Sequence, residues 1–288
     1  MRSLFDPVHF IRRADAIEWI DFYILDRIGG DPVGGDQPGG LPGDQPRDEK
    51  LAIIRRYAAE VKHALEEVDT DLFTHLRSRT YTRGSFREML RTYLADYSSE
   101  PDGIGYDHLD VFVSRLLSAQ PLPEATLAGV PDMVFYQKTP ARIVFEMAGS
   151  AGFTRDDVFF DIGSGLGQVV ILIHLISGVT ARGVEYEPAY CDYARACAAR
   201  LNLSGVGFIH AYAGEADYAT GTVFFLYTPF EGRMLQDMLD ILRYIARDRA
   251  IRVFTYGPCS PHVARQDWLR CIRGSGEDFY TLYQFASI

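Results

Sequence analysis

Residues 157–178, DVFFDIGSGLGQVVILIHLISG, place Gly163, Gly165 and Gly167 between one apolar run of strand length and another of helix length. Glycine weakens strands and helices alike, so this density marks a strand-to-helix turn whose backbone must adopt a conformation, or allow an approach, closed to other residues. In a parallel α/β sheet such turns sit at the carboxyl ends of the strands and face a ligand. The rest of the chain must then supply the alternating strands and helices of such a sheet.

It does so from residue 126 onward. A helix follows Thr139 and Pro140, read as its cap, and runs through Met147. A strand at 158–162, a helix from Gln168, a strand at 180–187, a helix at 189–203 and strands at 206–212 and 221–230 come next. A helix at 232–246, a strand at 250–257 and an antiparallel pair at 268–274 and 278–287 close the chain. The pattern predicts an α/β fold: a Rossmann-like, mostly parallel sheet with helices on both faces and an antiparallel closing strand, over residues 126–288.

Residues 1–125 read as an all-helical N-terminal domain. Asp6 and Pro7 start a helix with Ile17, Ile20, Ile24 and Ile28 on one face. Leu51, Ile54, Ala58, Val61, Leu65 and Val68 keep helical spacing and are expected to form one buried stripe. Ser85 is expected to open a third helix with Phe86, Leu90, Tyr93 and Tyr97 inward, and YDHLDVFVSRLLSA forms a fourth. Between the first two helices, the Gly/Pro-rich stretch at 29–47 has too little apolar surface to offset ordering and is expected to be a flexible loop.

Charge narrows the partners. The net charge is −10, and 26 arginines and three lysines are scattered among 39 acids, so no basic stripe for nucleic acid exists. The longest apolar run, Val169 to Val179, is too short to span a bilayer and is interrupted by His174 and Ser177. No membrane partner and a cytoplasmic location are therefore expected. Cys191, Cys197, Cys259 and Cys271 lack metal spacing and are expected to be buried free thiols, with no metal site.

The ligand on the glycine turn follows from its neighbours. A dinucleotide fingerprint would place its third glycine at position 168, where this chain has Gln168, and no Gly-Lys-Ser/Thr follows for a phosphate loop. Asp161 puts a carboxylate at the strand end, favourable beside an ammonium or sulfonium and unfavourable beside a pyrophosphate. Glu185, at the next strand's tip, is placed to accept ribose hydroxyls, and Tyr186 could lie against adenine.

Taken together, DIGSGLG and GVEYEP resemble class I S-adenosyl-L-methionine-dependent methyltransferases. More narrowly, FYQKTPARIVFEMAGSAGFTRDDVFFDIGSGLGQVV resembles the cofactor segment of non-SET histone lysine methyltransferases and related small lysine methyltransferases. Tyr136, Thr139 and Pro140 match their Tyr-x-Pro-Thr-Pro motif, with Lys138 in place of its first proline. The resemblance implies that Tyr136, Thr139, Asp161, Gly163, Ser164, Gly165, Gly167, Gln168, Glu185 and Tyr186 hold S-adenosyl-L-methionine.

Two positions depart from the pattern. After the third strand, Glu215 or Asp217 stands where an acid would meet the adenine amine; at the fourth strand's end, Tyr227, Thr228, Pro229 and Phe230 replace paired asparagines. Tyr227, Thr228 and His262 are the candidate catalytic residues, with Tyr256 a second candidate proton acceptor. The expected function is methyl transfer to a nucleophilic nitrogen, foremost on a protein or peptide side chain. The alternatives are a small-molecule N- or O-methyltransferase and a non-catalytic cofactor-binding scaffold. The oligomeric state is left open.

Overall fold

The structure is a computed structural model that describes residues 4–27, 45–97, 105–118, 120–127, 133–134, 136–274 and 278–288. The expected Gly/Pro loop lies outside the described residues up to position 44, as does Ile28 of the first helical face. The chain divides into two compact units, one of residues 1–76 and 89–98, the other of 77–88 and 99–288.

The first unit contains α1 (Phe10–Ile20) and nearly all of α2 (Gln45–Arg77). Asp6 accepts a hydrogen bond from the Val8 N–H and caps the short turn Pro7–His9 that leads into α1. Ile17 and Ile20 pack with Ala58 and Leu65. The buried face of α2 differs from the expected stripe: Ile54 and Val61 are exposed, whereas Asp69, Leu72, Phe73 and Leu76 are buried. Arg13 of α1 is fully buried and its Nε donates to Asp69 Oδ1 at 2.5 Å, so α2 turns inward the face that carries this carboxylate.

Helix α3 (Arg83–Tyr93) starts at Thr82 rather than Ser85. Thr82 Oγ1 accepts from the Ser85 N–H while Ser85 Oγ accepts from the Thr82 N–H, a reciprocal cap that places Ser85 inside the first turn. Phe86 is buried as expected, together with Met89, while Leu90, Tyr93 and Tyr97 are half-buried.

In the second unit, α4 (His108–Leu117) opens with a capping box between Asp107 and Asp110. Asp110 does more than cap its own helix: its Oδ1 also accepts from the Ala141 N–H, at the start of α5 (Ala141–Ser150). The expected capping of α5 by Thr139 is therefore corrected, because Pro140 occupies the cap position without a side-chain bond and the carboxylate comes from a distant helix.

The sheet comprises β1 (Val158–Ile162), β2 (Thr180–Glu185), β3 (Val206–His210), β4 (Val223–Leu226), β5 (Arg252–Thr255), β6 (Leu269–Arg273) and β7 (Tyr283–Ser287). Their spatial order is β3-β2-β1-β4-β5-β7-β6, parallel through β5, with β7 antiparallel to both β5 and β6. This is a Rossmann-like α/β fold with an antiparallel closing strand. Helices α6 (Gln168–Ser177), α7 (Pro188–Arg200), α8 (Gly232–Ala246) and α9 (Ser260–Ala264) follow β1, β2, β4 and β5.

The strand order reverses between β1 and β4, where Ile162 lies opposite Leu226, so a crevice opens beyond these two strands. β1 and β4 are built from phenylalanine-rich runs because both of their faces are covered. Helix α6, buried but for His174 and Ser177, is apolar all round because it lies in the interior. Cys191, Cys197 and Cys259 are buried, whereas Cys271, expected to be buried, is exposed on the edge strand β6. Among the described residues no helix is long and apolar enough to cross a membrane, and no His, Cys, Asp and Glu cluster could hold a metal ion.

Candidate functional site

A cavity of about 340 Å³ lies at the carboxyl ends of β1, β2 and β4. Its floor is the glycine turn, with φ of 81°, 50° and 81° at Gly163, Gly165 and Gly167. The turn folds back onto β2: the Gly163 and Ser164 N–H groups both donate to the Val184 carbonyl, at 2.9 and 3.0 Å. Glu185 then holds it from the side, its Oε2 accepting from the Gly165 N–H at 2.7 Å, while its Oε1 accepts from the Glu187 N–H at 2.8 Å and fixes the carboxylate itself. Ser164 is buried and its Oγ has no hydrogen-bond partner among the described residues, a hydroxyl left for a ligand. A Cβ at Gly183 would come within 2.5 Å of this Oγ; the signal for that close approach was a glycine inside a strand.

A lead-in segment, residues 133–134 and 136–140, crosses the strand tips above the turn. Met133 forms an antiparallel bridge with Phe230, and the Val134 N–H donates to the Pro229 carbonyl. Tyr136 lays its ring edge against Gly165, and Gln137 Oε1 accepts from the Tyr227 hydroxyl. Lys138 leaves the cavity for α4, where its ammonium donates to Ser114 Oγ and lies over the Tyr106 ring. The Thr139 carbonyl accepts from Gln168 Nε2 at the start of α6, at 2.7 Å. Gln168, the residue that departs from a dinucleotide fingerprint, thus ties the segment to the helix.

Among the described residues, the lining carries the carboxylates of Asp161, Glu185 and Glu187 and no Lys, Arg or His side chain. Burial, reinforced by the neighbouring Glu185, holds the Asp161 carboxyl well above the usual carboxylate range. Burial also raises Glu185, against the backbone N–H groups that favour its charged form. A sulfonium or ammonium arriving here relieves both acids of an unfavourable burial of negative charge.

The cavity collects Tyr136, Thr139, Asp161, Gly163, Ser164, Gln168, Glu185, Tyr186, Tyr227 and Thr228 in one lining. Gly165 and Gly167 build the turn from behind it. His262 is exposed on α9 and stands outside the lining. Glu215 and Asp217 are exposed beyond β3, whereas Ala211 and Ala213 reach the cavity. Tyr186 lies against Tyr212, with ring centroids 4.3 Å apart. The sequence reading missed Asp110, Gln137, Gly183 and Glu187. A glutamate at a helix N-cap, where shorter side chains are preferred, was the available signal for the last.

These residues fit S-adenosyl-L-methionine: an orphan hydroxyl and the positive end of α6 suit its amino-acid carboxylate, and Asp161 suits its cations. Replacing Glu185 by Ala is expected to weaken binding by roughly 30- to 100-fold, because the anchor of the turn at the Gly165 N–H goes together with an acceptor for the ribose. Glu185→Gln, which keeps an acceptor oxygen, should lose less. Calorimetric titration checks this, and an unchanged affinity in Glu185→Ala would place the ribose elsewhere.

Residues 132–209 match the model of a family described as histone methylation protein DOT1. The match spans the lead-in segment, the glycine turn, β2, α7 and most of β3. No curated protein matches the sequence. Among solved structures, the chain is similar to an RNA methyltransferase from Salinibacter ruber in complex with S-adenosyl-L-homocysteine, at 24% identity over 52% of this chain and 92% of that one, with a TM-score of 0.41. It is also similar to precorrin-6y C5,15-methyltransferase from Geobacter metallireducens, at 16% identity over 54% and 92%, TM-score 0.40. A third, a SAM-dependent methyltransferase from Aquifex aeolicus, shares 15% identity over 52% and 92%, TM-score 0.38.

Proposed function

We propose that this class I S-adenosylmethionine-dependent methyltransferase transfers its methyl group to a nucleophilic nitrogen on a protein or peptide side chain. The observation that carries the acceptor is the lining itself, in which, among the described residues, Asp161 and Glu185 meet Tyr136, Tyr186, Tyr190 and Tyr227 without a cationic side chain. Carboxylates attract a cationic side chain, and neutral aromatic faces bind its ammonium or guanidinium.

When bound, S-adenosylmethionine supplies an electrophilic methyl group on a sulfonium. The chain's own residues act by positioning and by electrostatics. Thr228, at φ 39°, donates its hydroxyl to the Tyr256 carbonyl and accepts from the Cys259 N–H, which fixes the turn between Tyr227 and Pro229. Burial and the neighbouring Tyr256 push the Tyr227 phenol up to about 12, so at neutral pH it keeps its proton. Its role is then to orient the acceptor, and the proton of the incoming nitrogen leaves to water at the mouth. His262, outside the lining, takes no part in this scheme.

The test is transfer of labelled methyl from S-adenosylmethionine to two acceptor sets, Lys- and Arg-containing basic peptides and small amines and phenols. Label recovered as N-methylated amino acid after peptide hydrolysis is the expected result. Label confined to the small molecules would reverse the assignment, and cofactor binding without label in either set would leave a scaffold.

A further inference from the structure

Residues 120–127 run as an irregular, mostly exposed segment beside the cavity and bring Ala125 and Leu127 into its wall. Little burial holds this strap: Leu122 and Leu127 are 65% and 40% exposed. Ser118 Oγ donates to the Gln120 carbonyl at its start, and one side chain, Glu187, holds positions 126 and 127. Glu187 Oε2 accepts from the N–H groups of Thr126 and Leu127, each at 2.9 Å, and Oε1 accepts from the Thr126 hydroxyl at 2.6 Å. The same carboxylate is the N-cap of α7, accepting from the Ala189 N–H at 3.1 Å. It is itself buried, so its charge is spent on these four donors.

The choice of residue is informative. Ser, Asp, Asn and Thr cap helices better than Glu, because a short side chain reaches the N2 and N3 amides without a long flexible stem. Only the longer side chain spans both α7 and the strap. The backbone bends at Leu127, which lets the successive N–H groups of Thr126 and Leu127 reach one Glu187 oxygen while Ala125 and Leu127 line the cavity. Pinning Thr126 therefore places two apolar groups on the outer wall of the cofactor site.

We infer that Glu187 is a positioning residue that holds the 125–127 strap across the cavity and so sets how long S-adenosylmethionine stays bound. The inference rests on that cofactor occupying the cavity. Removing the pin leaves the turn, Asp161 and Glu185 in place and opens one wall. The association step changes little, and the loss falls on dissociation.

Two variants separate this role from helix capping. Glu187→Ser keeps a preferred cap on α7 but cannot reach the strap; Thr126→Val leaves Glu187 and α7 untouched and deletes one of the three strap bonds. Dissociation of S-adenosylmethionine, followed by stopped-flow chase with S-adenosylhomocysteine, is expected to accelerate roughly thirtyfold in the first and about threefold in the second. The double variant should be no faster than Glu187→Ser alone, since both act on one contact. Without cofactor, chymotryptic cleavage after Leu127 should rise in Glu187→Ser while the melting temperature holds. Wild-type dissociation rates and cleavage in both variants would overturn the inference. Absence of binding to the wild-type protein would instead remove the cofactor from the cavity, and the strap's role with it.

Discussion

Gly165→Leu is expected to abolish measurable S-adenosylmethionine binding, a loss of at least about 100-fold, in a protein that still folds. Two independent facts require glycine here. The backbone sits at φ 50°, and a Cβ would run into the ring edge of Tyr136, at Cε2 and Cδ2. An aromatic ring yields only as a unit, so accommodating the side chain means lifting Tyr136 and the lead-in segment away from the turn. With it go the contacts that segment makes at Gln168 and Tyr227. Gly165→Ala should show a smaller loss of the same kind, since its single methyl still meets the ring. Calorimetry on variants with native circular dichroism decides it, and normal affinity in Gly165→Leu would show that this turn does not hold the cofactor.

The largest stability effect is expected at Asp69. Arg13 and Asp69 are 0% and 1% exposed, and three further guanidinium N–H groups donate to the carbonyls of Leu4, Asp6 and Pro7. Asp69→Ala leaves a buried guanidinium facing a gap, at a cost of about 3–5 kcal/mol. In a unit of this size that corresponds to a fall of roughly 10 °C or more in its melting temperature. Replacing both partners with apolar residues, as in Arg13→Met with Asp69→Leu, should recover much of the loss, because no charge is then stranded. The exposed pair Arg12–Asp96 is the control: Arg12→Ala should change stability by less than about 1 kcal/mol. A drop for Asp69→Ala no larger than the control's would mean that the buried pair contributes nothing to the first unit.

The two sites differ in how readable they were. Gly163, Gly165 and Gly167 announce themselves because their cost is local: each weakens the element it interrupts, and the flanking runs show which elements those are. β1 and α6 follow from the same local signals, apolar runs of strand and helix length on either side of a glycine break. The buried face of α2 was harder. Ile54 and Val61 satisfy the spacing rule as well as Leu65 and Leu72 do, and no count of apolar positions separates two adjacent lines on one helix. Apolar spacing does not mark Asp69, whose pairing with Arg13 identifies the inward face.

At the cavity, the sequence by itself determined which residue types collect at the strand tips. Periodicity and the turn place Asp161, the glycines, Glu185 and Tyr227 at the same edge of any parallel sheet, and short-range backbone geometry is enough for that. Only the tertiary structure decided what each group is free to do. Glu185 is already bonded to two backbone N–H groups, Ser164 has no partner among the described residues, His262 is exposed outside the lining, and Glu187 is committed to a strap 61 positions earlier in the chain. A carboxylate's type is written locally, but its partners are whichever donors the fold brings within about 3 Å, and those come from segments whose separation no local pattern encodes.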